Sequence, residues 1–261
     1  MKTIADNKRI NILQEQFVPD NVFLYVSKGA IRFFDGKKDY TLLAGEFGIA
    51  RKNCLLKYQL LESNDNFEPI MFCFDEVFLK SFQKKHQPQT LGFGSKDSCI
   101  NIPKTKMLDN FMSSIKPYYK GVLQLDDIFQ DIKNEELLLI LLKQQPELSD
   151  MLFNFSKPGK IDLEEFINLN YMFNVNMERL AFLTGRSLSA FKRDFKEVFG
   201  ETPSRWLIRK RLQEAHFLIE RKNKKPSKIY LDLGFETLSH FSVAFKKEFG
   251  ITPRDLRQDR Y

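Results

Sequence analysis

Apolar and polar positions follow two rhythms along this chain, a strand rhythm first and a helical one after it. Between residues 10 and 74 the apolar residues come in short β-rich runs: VFLYVS (22–27), AIRFF (30–34), DYTLL (39–43), CLLKYQLL (54–61) and PIMFCF (69–74). Turn chemistry separates them at Ser27-Lys28-Gly29, Asp35-Gly36, Ala44-Gly45-Glu46 and Ser63-Asn64-Asp65-Asn66. Short strands at near-regular spacing predict a small barrel or sandwich. From 75 to 155 the period lengthens to that of helices, over 77–85, 108–119 and 125–145, while 87–103 reads as an irregular connection. The last of these helices is very apolar along one face, which either packs inside the domain or seals a dimer. Lys157-Pro158-Gly159-Lys160 marks a linker, and residues 161–261 read as a run of helices.

Within that run the chain repeats itself. Residues 183–207 and 233–257 align at an offset of 50 with ten identical pairs among 25, where chance gives roughly one or two. The matches include Phe191, Phe195 and Phe199 against Phe241, Phe245 and Phe249, each trio spaced by four so that it lines one helical face. Gly200 and Gly250 stop those helices, and Thr202-Pro203 and Thr252-Pro253 supply an N-cap and a first-turn proline for the next. Upstream, Asp162 and Glu165 form a capping box, Ser187 caps the first repeated helix, and Ser227 caps a short helix ahead of the turn at Gly234-Phe235. The expected architecture is α+β. It has an N-terminal domain over 1–155, with a small β-barrel at 10–74 and helices at 75–155. An all-α domain over 161–261 follows, with helix-turn-helix units at 177–200 and 227–250 joined by a long helix at 203–221.

Charge separates the two halves. Residues 179–261 carry 19 Lys and Arg against 10 Asp and Glu, while residues 1–178 carry 22 against 24, so the basic excess of the chain sits with the repeat. A basic domain attracts polyanions and releases their counterions, which favours double-stranded DNA as the partner. In a helix-turn-helix the second helix enters the major groove, and two units joined by a rigid helix reach neighbouring turns roughly 34 Å apart. Ala181, Gly185 and the Phe trio provide the small contact, the turn and the apolar backing in copy one. The outward residues of copy one then include Ser189, Lys192, Arg193 and Lys196, and those of copy two Ser239, His240, Ser242, Val243, Lys246 and Lys247. Arg193 and Lys192 suit guanine edges, whereas Lys196, Arg209, Lys246 and Lys247 suit phosphates; a solvated surface charge is the competing reading for each lysine.

Other chemistry is sparse. The three histidines, His86, His216 and His240, form no metal-binding cluster, and Cys54, Cys73 and Cys99 are widely spaced among apolar neighbours, so no enzyme activity, metal or cofactor is expected. The start of the chain has no apolar signal region, and the longest apolar runs, such as Leu137–Leu142, are too short to span a bilayer, so a cytoplasmic protein is expected.

The segment GFETLSHFSVAFKKEFGITP (234–253), with RLQEAHFLIERK (211–222) in the linking helix, resembles the AraC/XylS family of transcription regulators over about 161–257. The resemblance implies a double helix-turn-helix that binds DNA and usually activates transcription, with RNA polymerase as a further partner. It places base contacts at Ser189, Lys192 and Arg193 in copy one and at Ser239, Ser242 and Val243 in copy two. It also implies a cupin-like N-terminal barrel, dimerising helices, and control by a small-molecule effector in some relatives or a regulatory protein in others. Phe23, Tyr25, Phe33, Phe34 and Phe47 are then candidate pocket residues, with plain core packing as the alternative. Two positions depart from the pattern: Tyr230 stands where a small Ala is usual and Val243 where Arg is common, so copy one is expected to carry more of the specificity. Two other readings stay open: a helical-repeat adaptor that binds protein, and a barrel enzyme tethered to DNA.

Overall fold

A computed structural model of the chain describes residues 16–61, 67–92, 95–115 and 127–258. The turn expected at 63–66, the first residues of the strand region and the ends of the helices expected at 108–119 and 125–145 lie outside those residues. Two compact units meet between Ser156 and Lys157.

The first unit contains β1 (Phe17–Val18), β2 (Asn21–Lys28), β3 (Ala30–Phe34), β4 (Asp39–Leu43), β5 (Phe47–Ala50), β6 (Cys54–Leu55), β7 (Lys57–Leu60), β8 (Glu68–Phe74) and β9 (Cys99–Ile102). Its helices are α1 (Glu76–His86), α2 (Lys106–Ile115), α3 (Asp127–Gln144) and α4 (Leu148–Leu152). The strand β9 falls inside the segment expected to be irregular. Four residues, CINI, are too few for periodicity to register; only pairing with β5 (Gly48 opposite Asn101, Ile49 opposite Ile100) makes them a strand.

A closed barrel does not form among the described residues. The strands make sheets of order β8-β2-β5-β9, β4-β3-β7 and β1-β6. The reason lies in β2, which is apolar on both faces. Its Val22, Leu24 and Val26 join a core with Ile31 and Phe33 of β3 and Leu42 of β4. Its Phe23 joins a second core with Phe82 of α1, Phe111 of α2 and Leu137, Leu138 and Leu141 of α3. A sheet apolar on both faces needs cover on both, so the second sheet takes one side and the helices the other. The leucine-rich face of α3 is thereby used inside its own unit, with Ile132 and Leu139 left exposed. At the β3–β4 turn Asp35 Oδ1 accepts the backbone N–H groups of Lys37 and Lys38 at 2.9 and 2.8 Å, with Gly36 at φ 96°.

The second unit is helical: α5 (Leu163–Asn170), α6 (Met177–Leu183), α7 (Leu188–Phe199), α8 (Pro203–Lys222), α9 (Pro226–Ile229), α10 (Leu238–Phe249) and α11 (Pro253–Gln258). It has two cores. Leu163, Ile167, Leu180, Ala181, Phe191 and Phe195 form one with Trp206 and Leu207 from the first half of α8. Ile229, Leu233, Phe235, Phe241 and Phe245 form the other with Leu212, Ala215 and Ile219 from its second half. One long helix therefore gives opposite ends to two separate cores.

Candidate nucleic-acid interface

In copy one, α6 opens on Asn176, whose Oδ1 accepts the Arg179 N–H at 2.8 Å, and ends at Gly185, a left-handed residue at φ 66°. A Cβ there would lie 2.3 Å from the Gly159 carbonyl carbon, so the turn can come this close to the start of the unit only with glycine. Ser187 Oγ then accepts the Ala190 N–H and starts α7. Phe191 and Phe195 are wholly buried, and Phe195 meets Trp206 edge-on at 5.9 Å. This fixes the opposite face outward, where Ser189, Lys192, Arg193 and Lys196 are exposed.

Arg193 is the most constrained of these. It donates to Asp194 Oδ1 from Nη2 at 2.9 Å while its side chain remains 75% exposed. Asp194 also accepts from Arg186 Nε at 3.1 Å, and Arg186 is buried, donating further to the carbonyls of Ile161 and Thr184 at 3.0 and 2.8 Å. The guanidinium of Arg193, with that of Arg186 behind it, holds the Asp194 carboxyl below its usual range. Arg209, half-buried on α8, is ion-paired to Glu201.

Copy two is not a plain translation of copy one. The turn bonds Gly185 N–H to Phe182 O, and Gly234 N–H to Leu231 O, correspond at an offset of 49, but the caps Ser187 and Thr237 correspond at 50. One extra residue sits in the second turn. Nine of the ten identical pairs are structurally equivalent, while Leu233 matches the position of Thr184 rather than Leu183. Thr237 Oγ1 accepts the His240 N–H at 3.1 Å and starts α10. The cap expected at Ser227 is not there: α9 begins at Pro226, with Lys225 in the cap position and no side-chain bond. Proline fixes its own φ and lacks an N–H, so it takes the first helical position ahead of Ser227.

On α10, Phe241 and Phe245 are wholly buried, and Ser239, Lys246 and Lys247 are exposed. Val243 is 70% exposed, an apolar side chain presented to solvent by the buried stripe opposite. Ser242 is half-buried and donates to Leu238 O at 2.8 Å. His240 rests edge-on against Phe235 at 5.7 Å.

The residue that ties the copies together was singled out in sequence only as part of a motif. Arg211 of α8 is half-buried and donates three bonds to backbone carbonyls: Nε to Tyr171 at 2.7 Å, Nη2 to Phe173 at 2.9 Å, and Nη1 to Gly234 at 2.9 Å. The first two belong to the loop before copy one, the third to the turn of copy two. Burial pulls its pKa down to about 10, still charged at neutral pH. Gly234 is required in turn, because a Cβ would lie 2.7 Å from Met172 O and 2.8 Å from Arg211 Cζ. The available sequence signal is position: Arg211 stands four residues from both Leu207 and Ala215, on the apolar stripe of α8, where a charge needs a buried partner.

In the first unit the five aromatic candidates separate. An apolar cavity between the two larger sheets is lined by Phe33, Leu24, Leu42, Gly48, Met71 and Cys99 among others. Phe23 and Phe47 lie in the core on the other face of the same sheet, their rings 5.9 Å apart, and Tyr25 stacks on Phe47 at 4.8 Å. Phe34, next to Phe33 on β3, is half-buried. Strand alternation decides this: neighbours along a strand cannot line the same side. Burial drives the Cys54 thiol up and the Cys99 thiol up to about 12, leaving both unreactive near neutral pH. Among the described residues no group of three or more His, Cys, Asp or Glu is placed to hold a metal, and no helix is long and apolar enough to cross a membrane.

Against known proteins, residues 21–151 match an ExsA N-terminal regulatory domain and residues 180–259 a helix-turn-helix domain. The transcriptional activator RhaS of Escherichia coli is 32% identical over 122 residues, 47% of this chain and 44% of that protein. The chain thus spans less than half the length of the curated relatives it matches. Among solved structures, ToxT of Vibrio cholerae aligns over 94% of this chain and 90% of its own at 16% identity and a TM-score of 0.43. An AraC-type regulator of Chromobacterium violaceum aligns over 38% and 88% at 30% identity and a TM-score of 0.34.

Proposed function

Since this chain belongs to the AraC/XylS family of transcription regulators, we propose that it binds double-stranded DNA sequence-specifically through α7 and α10 and activates transcription by engaging RNA polymerase. The observation that carries this is the pair of outward faces on α7 and α10, each fixed by two fully buried phenylalanines and both referred to one bridging helix. Arg193 and Lys192 read base edges in copy one, with Ser189 beside them. Copy two contributes Ser239, Ser242 and Val243, the valine against a thymine methyl, and Lys196, Arg209, Lys246 and Lys247 position phosphates. The pairing of Arg193 with Asp194 supports base reading, because a guanidinium held at one edge presents its other donors in a fixed direction.

The first unit is the regulatory half, in our reading a cupin-like sheet pair with helices that form a homodimer in the cytoplasm. Control comes from a small molecule or from a regulatory protein. The apolar cavity that Phe33 lines favours the former. Selection of bound sequences from a random duplex pool by the full chain tests the reading. The expected motif has two half-boxes about one helical turn apart. Arg193→Ala is expected to relax the base preference in one box, at a cost of about 1–3 kcal/mol against the best site. Absence of any enriched motif, or a variant that selects the same motif with equal affinity, overturns it.

A further inference from the structure

The two copies share a fold but not a charge distribution, and the difference sits beside the reading helices as well as on them. Next to α10 lies an open cleft lined by Lys225, Ser227, Ser242, Thr252, Arg254 and Arg257, with Leu238 and two prolines. Lys225, Arg254 and Ser227 are exposed, and Arg257 is half-buried, its Nε donating to Asn223 Oδ1 at 3.0 Å. The turn register given above identifies the matching positions of copy one. Lys225 matches Asn176, since both occupy the cap position of the first helix. Arg254 and Arg257 match Ser204 and Leu207 at the offset of 50, and Ser227 matches Glu178 at 49. Copy one therefore has no cation at any of these three places and an acid beside them, and Leu207 is core. On the reading helices the bias is reversed: Lys192 and Arg193 in copy one stand where copy two has Ser242 and Val243.

We propose that this cleft is a DNA phosphate seat, formed by Lys225, Arg254 and Arg257, which gives copy two a sequence-independent hold on the backbone beside the base contacts of α10. The inference rests on the DNA-binding reading above and assigns a division of labour within it. Three cations converge on one concave surface lined by small hydroxyls, which leaves room for a phosphate and supplies donors besides the charges. Among the described residues the carboxylate next to them in sequence is Asp255, which accepts the Thr252 N–H at 3.3 Å while its own N–H bonds Thr252 Oγ1, and which also feels the charge of Arg254. The outer face of α10 is neutral at Ser242 and Val243, its exposed lysines Lys246 and Lys247 standing one turn further along, and the cleft adds a hold on the backbone from the side.

The test is full-chain binding to its selected duplex and to a scrambled duplex, over 50–200 mM salt, for wild type, the double variant Arg254→Ala/Arg257→Gln and the control Lys84→Ala. Each phosphate contact adds about one to the slope of log affinity against log salt, so the double variant is expected to lose about two. Between 50 and 200 mM the wild type then loses roughly 12-fold more affinity than the variant. The ratio of selected to scrambled binding is expected to stay unchanged, and Lys84→Ala to behave as wild type. Circular dichroism confirms that the variant is folded. A wild type that binds no DNA overturns the DNA-binding reading together with this one. A wild type that binds, with a variant of unchanged slope, overturns the phosphate seat alone. A changed selected-to-scrambled ratio shows the cleft reading bases, which overturns it as well.

Discussion

Replacing Arg211 by Met removes the charge and keeps most of the side-chain length, and so isolates the three bonds that join the loop before copy one to the turn of copy two. Hydrogen bonds to charged groups contribute about 1.5–3 kcal/mol each, so three of them sum to about 4.5–9 kcal/mol before any offset. Two effects reduce it. The guanidinium no longer has to be desolvated, and Arg211 lines an open cleft with Asn174, Ser204 and His240, from which water reaches the freed carbonyls. A loss of about 2–4 kcal/mol follows, or roughly 10–20 °C in the melting temperature of a unit of this size. The assay is built into the sequence: the single tryptophan, Trp206, is buried in the core of copy one, so its fluorescence follows this unit and not the first. Arg211→Lys, with one point donor in place of a fork, is expected to fall between the two. A fall below about 3 °C for the Met variant, or a Lys variant equal to wild type, would refute the account of Arg211 as the tie between copies.

Gly185→Ala is expected to cost at least about 3 kcal/mol, since left-handed strain of about 1–2 kcal/mol adds to a backbone collision with Gly159. Gly200→Ala, with the same sign of φ and open space around it, is expected to cost only about 1 kcal/mol; urea midpoints compare the two, and equal costs would show that the collision does not matter. Asp194→Asn frees Arg193 and removes one negative charge from the interface, so non-specific DNA affinity rises while the melting temperature falls through loss of the Arg186 anchor. The carboxyl of Asp194 sits below its ordinary value of 3.8, so its stabilisation is present above that pH and fades as pH falls through the folded value; the stability difference between wild type and Asp194→Asn should persist at pH 7 and vanish in strong acid. Phe245→Ala opens a cavity in the second core and costs about 3–5 kcal/mol. If Arg211 and α8 couple the copies, the Trp206 transition shifts with it, and an unchanged Trp206 melt would show two independent units.

Much of the second unit was legible because its signals are local. A four-residue spacing of Phe191, Phe195 and Phe199 can bury those rings only as a helix, Gly200 can end it at φ 75° without penalty, and Thr202-Pro203 can start the next. The same signals gave the outward residues of α7 and most of those of α10, since the buried stripe leaves them one direction to face; Ser242, half-buried and bonded to Leu238 O, is the exception. Where two local signals competed, as at Pro226 and Ser227, the covalent constraint of the proline ring prevailed over a hydroxyl that could have capped.

Sequence alone therefore determined the elements that carry their own reason for existing: the paired helices, the caps at Asp162 and Ser187, and the concentration of positive charge on the second half. Tertiary structure alone decided what depends on a partner far along the chain. Residues 99–102 are a strand only because β5 accepts them at its edge, and the strands open into separate sheets only because helices claim one face of β2. Phe23 and Phe33 are alike in sequence yet face different cores, because pairing register and not composition assigns a side chain to a face. The position of Arg211 on the apolar stripe of α8 is legible in sequence, but its partners are not: the carbonyls of Tyr171, Phe173 and Gly234, from both sides of it in sequence, converge on its guanidinium only in the fold. A backbone carbonyl carries no sequence signature, so contacts of this kind appear only when the chain is folded.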